Sequence, residues 1–372
     1  MTKLIMHIGE PKTGTTTLQS TLWRSRHRLL RHGILYPSNA NGHNHTGAVY
    51  HLSDRRFTPR YAISRFEGDN DALYAFSGDM WQRIVEEVST HNPDTIILSS
   101  ETFFDFGNVD AVTPLLEKTK RLAQDITVVC YLREPASVYL SLKQQNLKTA
   151  HVDPPPGPNT RMRTALEPFL GIDGVTLEVH KFDRNQLIGN DVVQDFATRY
   201  LPPGMGADLV PGSNELNTAL SAEMMAVCED ILAGAAHPRL RPHHGFPRTL
   251  TGRLPLIDAA VPQFRPARLK PGIAHIIQNQ SQDLGWVEDT FGISFDRPAM
   301  EPAIAGTSPE SLVSTRDLCP IDEKRYQDLL SSFPSPLELS LRSSVAKRKR
   351  ILQNRIRRFG QNALRVSRRF GF

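Results

Sequence analysis

The sequence predicts an α/β fold with a central, mainly parallel sheet flanked by helices on both faces. Short runs of apolar and β-branched residues alternate with stretches in which apolar residues recur at helical spacing. Apolar runs without polar alternation are typical of strands buried on both faces, as in parallel sheets. The chain has 372 residues, which is long enough to bury a full α/β core.

The first predicted element is a strand that leads directly into a helix. Residues 3–8 form a short apolar run, and the leucines after residue 17 recur at helical spacing up to Gly33. Between them, residues 9–17 read Gly-Glu-Pro-Lys-Thr-Gly-Thr-Thr-Thr. Successive backbone N–H groups at such a turn point into one concavity, and the helix dipole adds partial positive charge. This loop therefore predicts a phosphate or sulfate site.

The position of the lysine in this loop limits the kind of ligand. Gly9 and Gly14 fit the Gly-x-x-x-x-Gly frame of a nucleoside triphosphate loop, but Thr15 stands where that motif has lysine. Lys12 lies before the second glycine, nearer the mouth of the loop. We expect a nucleotide with one phosphate in the loop and a P-loop-type three-layer fold around it. An ordinary glycine-rich turn is the alternative at this point.

A second anion site is predicted at the end of a later strand. Residues 126–132 form a continuous apolar and β-branched run, and Arg133 follows at once. Pro135 suits the first turn of a helix, on which Ser141 lies two turns beyond the arginine. A guanidinium group and a hydroxyl group at these positions suit another phosphate.

Two further strands complete the predicted sheet. Residues 95–100 read as one strand with Glu101 at its carboxyl end, and residues 175–182 read as the other, with a helix behind it near residues 192–200. Ligands of open α/β sheets bind beyond the carboxyl ends of strands. Lys12, Glu101 and Arg133 are therefore expected to share one crevice.

Three stretches between these elements read as loops. Residues 39–61 are rich in glycine and histidine, residues 153–158 are rich in proline, and residues 237–248 carry positive charge without an acidic residue. The first two are expected near the crevice. The third is either a contact for an anionic or sugar-bearing acceptor or an exposed loop.

The two anion motifs resemble those of the sulfotransferases that use 3′-phosphoadenosine 5′-phosphosulfate, especially bacterial members related to carbohydrate sulfotransferases. The likeness rests on Pro-Lys-Thr-Gly-Thr-Thr-Thr-Leu at 11–18 and on Leu-Arg-Glu-Pro at 132–135 followed by Ser141, and it covers about residues 1–235. The stretches 180–184 and 214–217 also resemble stretches of the bacterial members of this family. The resemblance implies that Arg133 and Ser141 bind the 3′-phosphate. It also implies that the 5′-phosphosulfate end is bound by Lys12, Thr13, Gly14, Thr15, Thr16 and Thr17.

Sulfuryl transfer needs a cation for the leaving phosphate and a base for the acceptor proton. Lys12 suits the first role because an ammonium group at the loop mouth stabilises developing charge. The resemblance implies Glu101 as the base, since related carbohydrate and protein-tyrosine sulfotransferases use glutamate. His45 or His43 is the rival, because cytosolic sulfotransferases use histidine. No metal is expected, since no carboxylate or cysteine is spaced to complete a histidine site.

The expected activity is in-line transfer of the sulfuryl group to a hydroxyl or amine of an acceptor, with a glycan or glycolipid as the expected class. Two other functions stay open. One is a P-loop nucleotide kinase or hydrolase, which needs magnesium and an acidic metal ligand at a strand end. The other is a non-enzymatic protein that binds a polyanion or a membrane through a basic tail.

The predicted organisation is one sulfotransferase domain over 1–340, with acceptor-side insertions at about 39–75, 150–170 and 234–275, followed by a basic amphipathic helical tail at 341–372. Residues 347–372 contain ten lysines and arginines and no acidic residue, so the rest of the chain is net acidic although the whole carries +5. The alternatives for residues 347–372 are contact with an anionic membrane surface, packing against another subunit, binding of a polyanion, and a disordered or docked helix. No nucleic acid is expected as a partner.

The cellular location is predicted from cysteines and hydrophobicity. Cys130, Cys228 and Cys319 are too few and too scattered for a disulfide framework. The first strand begins almost at the N-terminus, without a leader pattern, and no stretch is long and apolar enough for a membrane span. A cytoplasmic protein is expected, either free or peripheral on the inner membrane surface.

Overall fold

A computed structural model of the protein describes residues 2–38, 42–58, 62–63, 66–105, 109–148, 161–212, 219–234, 248–279, 281–296, 312 and 314–333. The predicted basic tail at 341–372 lies outside these residues. So do the proline-rich stretch 153–158, the stretch 214–217 and nearly all of the basic stretch 237–248.

The predicted parallel sheet is confirmed. Five strands form one sheet in the order β2-β3-β1-β4-β5, and every neighbouring pair is parallel. The strands are β1 (Lys3–His7), β2 (Ile34–Leu35), β3 (Thr95–Ser99), β4 (Asp125–Leu132) and β5 (Val175–Lys181). The two-residue strand β2 is an addition to the predicted set.

Apolar side chains on alternate positions of the strands feed two separate cores, one on each face of the sheet. Leu4 and Met6 of β1 belong to one core, and Ile5 between them belongs to the other. The same division occurs in β4, where Val128 and Val129 point to opposite cores. Both faces are therefore covered, which explains why the strands read as unbroken apolar runs.

The chain divides into two compact units, and the sheet belongs to the first, which comprises residues 1–139, 156–217 and 274–303. The helices of this unit include α1 (Thr15–Leu30), α2 (Thr46–Leu52), α3 (Asn70–His91), α4 (Thr102–Asp105), α5 (Val109–Thr119), the start of α6 (Pro135–Lys148), α7 (Met162–Leu166), α8 (Val192–Tyr200), α9 (Met205–Asp208), α13 (Ile273–Asn279, from Ala274) and α14 (Asp283–Phe291). Turns of 3-10 helix lie at Arg55–Phe57, Glu167–Phe169 and Ile188–Asn190.

The second compact unit comprises residues 140–155, 218–273 and 304–372 and has its own apolar core. Its helices include the end of α6, α10 (Ala222–Ala233), α11 (Arg248–Thr251), α12 (Leu254–Ala260), α15 (Thr315–Leu318) and α16 (Glu323–Ser332). Arg325 of α16 is 4% exposed and pairs with Asp258 at 2.7 Å and with Glu223 at 3.1 Å. A buried guanidinium group with two carboxylates and further hydrogen bonds holds α16 in this core.

One predicted loop contains a helix. Residues 46–52, inside the stretch 39–61, form α2, in which Ala48, Val49 and Leu52 are buried in the core that includes Leu4 and Met6. The helix has seven residues, which is too short to be stable by itself. Its packing against the sheet and α3 supplies the stability that the local sequence lacks.

Candidate active site at the carboxyl edge of the sheet

The central three strands bring the predicted residues to one edge. β1 lies between β3 and β4, and His7 at its end is level with Ser99 and Val129. The chain continues from these strands into the loop 8–14, into Ser100 and Glu101, and into Arg133. The order of the strands changes direction at β1, and such a point is where open α/β sheets bind ligands.

The loop after β1 turns sharply into α1. Lys12 and Gly14 both have left-handed backbone conformations, with φ values of 74° and 77°. A Cβ atom on Gly14 would lie 2.9 Å from Val192 Cγ1, so only glycine suits this position. Gly14 has no side chain to cap α1, and the first turn of the helix contains no acidic residue. The first N–H groups of α1 lack intrahelical acceptors and suit an anion.

Arg133 is bonded to this loop at two points. Its backbone N–H donates to Glu10 Oε2 at 2.7 Å, and its Nη1 donates to the Lys12 carbonyl oxygen at 2.9 Å. The Thr13 hydroxyl donates to the Glu10 carbonyl oxygen at 2.7 Å. The guanidinium group also lies 5.7 Å from the centroid of the Phe182 ring. The end of β4 and the loop 8–14 are therefore one hydrogen-bonded structure.

Glu10 is a buried carboxyl group inside the loop. Its exposed fraction is 1%, and burial raises its pKa from 4.5 to about 8, against the opposing effects of the Arg133 N–H and the Arg133 charge. The carboxyl group is therefore mostly protonated and neutral at pH 7. A neutral side chain here leaves the positive potential of the loop intact.

Glu101 reaches the loop from the end of β3. It is half-buried, and its Oε1 accepts a hydrogen bond from the Thr15 hydroxyl at the start of α1. Ser100, beside it, accepts or donates a hydrogen bond with Thr46 Oγ1 at 2.8 Å. The three residues predicted to share one crevice are therefore close to one loop. Lys12 lies in the loop 8–14, Arg133 is hydrogen-bonded to it, and Glu101 is hydrogen-bonded to Thr15, the first residue after it.

His45 has a different environment from Glu101. It is 2% exposed, its Nδ1 accepts from the Ser99 N–H at 2.9 Å, and its Nε2 donates to the Pro37 carbonyl oxygen at 3.1 Å. Burial lowers its pKa to about 4. Both ring nitrogens are hydrogen-bonded to backbone groups, so proton transfer at either nitrogen requires one of these hydrogen bonds to break.

The remaining predicted residues lie before α2, on α1 and on α6. His43 is exposed, with its carbonyl oxygen bonded to the Tyr36 hydroxyl at 2.6 Å. Thr16 is exposed and Thr17 is half-buried in the first turn of α1. Ser141 lies on α6, in the part of the helix that belongs to the second compact unit.

Glu10 and His7 were missed as site residues. His7 is fully buried, its Nδ1 is 2.8 Å from Ser99 Oγ, and its Nε2 has no hydrogen-bond partner among the described residues. Desolvation lowers its pKa to about 4. A signal for each was visible: a histidine in an otherwise apolar strand, and an acidic residue in a loop that suits anions.

Within the part of the chain that the structure describes, no cluster of three or more His, Cys, Asp or Glu side chains has a metal-binding arrangement. In the same residues, no helix has both the length and the apolar composition that a membrane crossing requires. Comparisons of the chain with models of protein families, with curated proteins and with solved structures found no match.

Proposed function

We propose that this protein is a sulfotransferase that moves the sulfuryl group from 3′-phosphoadenosine 5′-phosphosulfate to a hydroxyl or amine of an acceptor. The observation that carries the proposal is that Arg133 and Glu101, at the ends of two strands of a parallel α/β sheet, are hydrogen-bonded to the loop that contains Lys12 and to the residue after it. A cation, a carboxylate and a guanidinium group around an anion-binding turn are the groups that this reaction needs.

The loop fits the 5′-phosphate end of the donor. The open N-terminus of α1 supplies N–H groups and positive potential, and the left-handed Gly14 directs the chain into that helix. Glu10, neutral at pH 7, adds no opposing charge. The donor supplies an activated sulfuryl group on this phosphate.

Lys12 and Glu101 have complementary roles in the transfer. The acceptor oxygen forms a bond to sulfur as the bond between sulfur and the bridging phosphate oxygen breaks, and that oxygen keeps the electron pair. The Lys12 ammonium group stabilises the charge on the leaving phosphate, and Glu101 takes the acceptor proton. Adenosine 3′,5′-bisphosphate and the sulfated acceptor are the products.

Glu101 is preferred to His45 as the base because of what each side chain is bonded to. Glu101 is half-buried and bonded to the Thr15 hydroxyl, whereas both nitrogens of His45 are bonded to backbone groups. In this proposal, His45 fixes the end of β3 and thereby positions Glu101. A base must reach the acceptor proton within hydrogen-bond distance.

Arg133 is proposed to bind the 3′-phosphate, with one guanidinium nitrogen on the Lys12 carbonyl and the others directed to the ligand. The participation of Ser141 stays a prediction. A glycan or glycolipid acceptor is proposed because the motifs resemble those of carbohydrate sulfotransferases.

One contact favours a second candidate, a magnesium-dependent nucleotide kinase or hydrolase. The Thr15 hydroxyl and Glu101 are bonded to each other, and a hydroxyl after the loop with a strand-end carboxylate is the pair that holds Mg²⁺ in nucleoside triphosphate enzymes. The position of Lys12 favours the sulfotransferase, because Thr15 occupies the place of the triphosphate lysine.

Isothermal calorimetry distinguishes the two candidates. The sulfotransferase predicts binding of adenosine 3′,5′-bisphosphate in the presence of EDTA, with weaker binding of adenosine 5′-monophosphate. Arg133→Ala is expected to weaken bisphosphate binding about 10- to 100-fold and to leave the monophosphate nearly unaffected. Tighter binding of ATP with Mg²⁺ than of the bisphosphate would reverse the choice.

Activity tests the role of Lys12. Conversion of the donor to adenosine 3′,5′-bisphosphate is measured by chromatography in the presence of a panel of glycan acceptors. Lys12→Ala is expected to reduce turnover about 10²- to 10³-fold. Lys120→Ala is the matched control, because Lys120 precedes β4 at the opposite edge of the sheet and donates to the Asp173 carbonyl oxygen. Equal loss in both variants would contradict the role of Lys12.

A further inference from the structure

Three basic side chains in the second half of α1 and two in the turn that follows it form an exposed group, which we call the α1 basic face. Arg24, His27 and Arg28 lie on one side of the helix, at spacings of one, three and four residues, and Arg31 and His32 follow its last residue, Leu30. The three residues on the helix, Arg24 to Arg28, span about 6 Å along its axis. The site is therefore a cluster of three arginines and two histidines at the C-terminal end of α1.

The opposite side of the same half-helix is fixed in the core. Leu22, Ser25 and Leu29 are buried, and Leu22 and Leu29 belong to the core that includes Ile5 of the central strand. The Ser25 hydroxyl accepts a hydrogen bond from the Val210 N–H at 2.8 Å. α1 therefore cannot rotate to hide its basic face, and its apolar side cannot enter a lipid layer.

The positive charge of this face is not neutralised locally. Among the described residues, none of the five basic side chains forms an ion pair with a carboxylate. Arg28 donates to the backbone carbonyl oxygen of Asp208 at 2.7 Å, and the Asp94 carboxylate lies against Gly33. These two acidic residues border the face without pairing with it. Cations near a helix C-terminus interact favourably with the helix dipole and stabilise the helix. Three arginines and two histidines are more basic residues than this stabilisation requires.

A cavity of about 310 Å³ opens at one end of the α1 basic face. Its walls include Arg28, Arg31 and His32 from the basic face and Met205 and Asp208 from α9. This volume is at the lower end of the range for small-molecule sites. The α1 basic face thus combines a cluster of basic side chains with one concave position.

We propose that the α1 basic face binds an acidic polysaccharide chain, with its sulfate or carboxylate groups on the arginines and one sugar unit in the cavity. The choice of a polysaccharide rests on the proposed function, because the acceptor class there is a glycan. α1 has 16 residues, so its two ends are about 24 Å apart. A polysaccharide bound at the α1 basic face lies away from the loop 8–14, so this face would anchor a long acceptor at a distance from the proposed donor site.

Two other polyanions fit the same face less well. An anionic membrane would gain no apolar contact, since the apolar side of α1 is buried. Single-stranded nucleic acid usually needs an aromatic ring for base stacking, and Trp23 on this half-helix is covered by the Arg26 guanidinium group at 4.0 Å.

Binding of a fluorescent heparin oligosaccharide to the full chain tests the proposal. The variant R24Q/R28Q/R31Q removes three charges from the α1 basic face, and R355Q/R357Q/R358Q removes three from the predicted tail. Both are measured alone and together over a range of NaCl concentrations. The α1 substitutions are expected to weaken binding at least ~10-fold and to reduce the slope against log salt by about 2–3, whether or not the tail is altered.

The outcomes separate this proposal from the proposed function. Unchanged heparin binding in R24Q/R28Q/R31Q, with either tail, overturns the α1 site. Equal, α1-dependent binding of phosphatidylserine vesicles or of single-stranded DNA overturns the choice of polysaccharide. Calorimetry with adenosine 3′,5′-bisphosphate is expected to give the same affinity in the α1 variant as in the wild type. If the wild type itself does not bind the bisphosphate, the proposed function fails while the heparin measurements still report on the α1 basic face.

Discussion

Replacing Glu10 by glutamine removes one titrating carboxyl group from the loop 8–14 and keeps the size of the side chain. Glutamine retains an oxygen that can accept the Arg133 N–H, which lies 2.7 Å from Glu10 Oε2 in the wild type. The substitution therefore tests the charge of Glu10 separately from its packing.

The size of the expected change in unfolding free energy follows from the pKa of Glu10 in the folded and unfolded states. Its folded pKa of about 8 is above the value of 4.5 expected in the unfolded chain. Between pH 4.5 and 8 the unfolded state releases the proton while the folded state keeps it, so rising pH favours unfolding. The cost is about 1.4 kcal/mol per pH unit in this window. From pH 5.5 to 7.5, the wild type should lose about 3 kcal/mol relative to Glu10→Gln.

Urea unfolding followed by tryptophan fluorescence measures this difference. The three tryptophans, Trp23, Trp81 and Trp286, all belong to the first compact unit, so the signal reports on the unit that contains Glu10. Other groups that titrate, including His7 and His45, are common to both proteins and cancel in the comparison. Glu117→Gln, at an exposed position on α5, is the control and should show no such pH dependence.

The reasoning is refuted if the unfolding free energies of the wild type and Glu10→Gln remain parallel from pH 5.5 to 7.5. Parallel curves would mean that Glu10 is ionised in the folded protein at neutral pH. The loop would then hold a buried negative charge beside the proposed phosphate position, which would lose part of its electrostatic support.

Three more outcomes are expected. Gly14→Ala should destabilise the first compact unit by about 1–2 kcal/mol, because Gly14 has a φ of 77° and an added Cβ atom would contact Val192. Gly285→Ala, on α14 with no atom near the added Cβ, should stabilise the same unit by about 0.5–1 kcal/mol. Chemical denaturation measures both changes in the free energy of unfolding. Arg325→Ala should destabilise the second compact unit by about 3–5 kcal/mol, since two buried carboxylates lose their cation, and circular dichroism during heating should show an earlier transition. Glu101→Gln should lower turnover about 10²- to 10⁴-fold with bisphosphate affinity retained, and an active variant would exclude Glu101 as the base.

The strands and the loop after β1 were predictable because their signals are local. Apolar runs identify β1, β3, β4 and β5, and a glycine pattern identifies the turn into α1. Parallel strands have their carboxyl ends at one edge, so the proximity of Glu101 and Arg133 to the loop followed from topology.

The parts that were not predicted depend on contacts between distant residues. Helix α2 is stabilised by tertiary packing, and β2 has only two residues, both paired with β3. The burial of Glu10 depends on the end of β4, more than a hundred residues further along the chain. The ion pairs of Arg325 join residues separated by 67 and 102 positions, and no sequence pattern marks them in advance.

The hydrogen bond from Arg133 to the Lys12 carbonyl oxygen couples the position of the Arg133 guanidinium group to the backbone conformation of Lys12. Any ligand that draws the guanidinium group toward itself must also act on the backbone of Lys12, which has a left-handed conformation with φ of 74°. Recognition at Arg133 and alignment of the Lys12 ammonium group should therefore be cooperative, and a double-mutant cycle of the two residues should give losses that do not add. Under the proposed function, binding of the nucleotide at Arg133 would thereby align Lys12 for the transfer step.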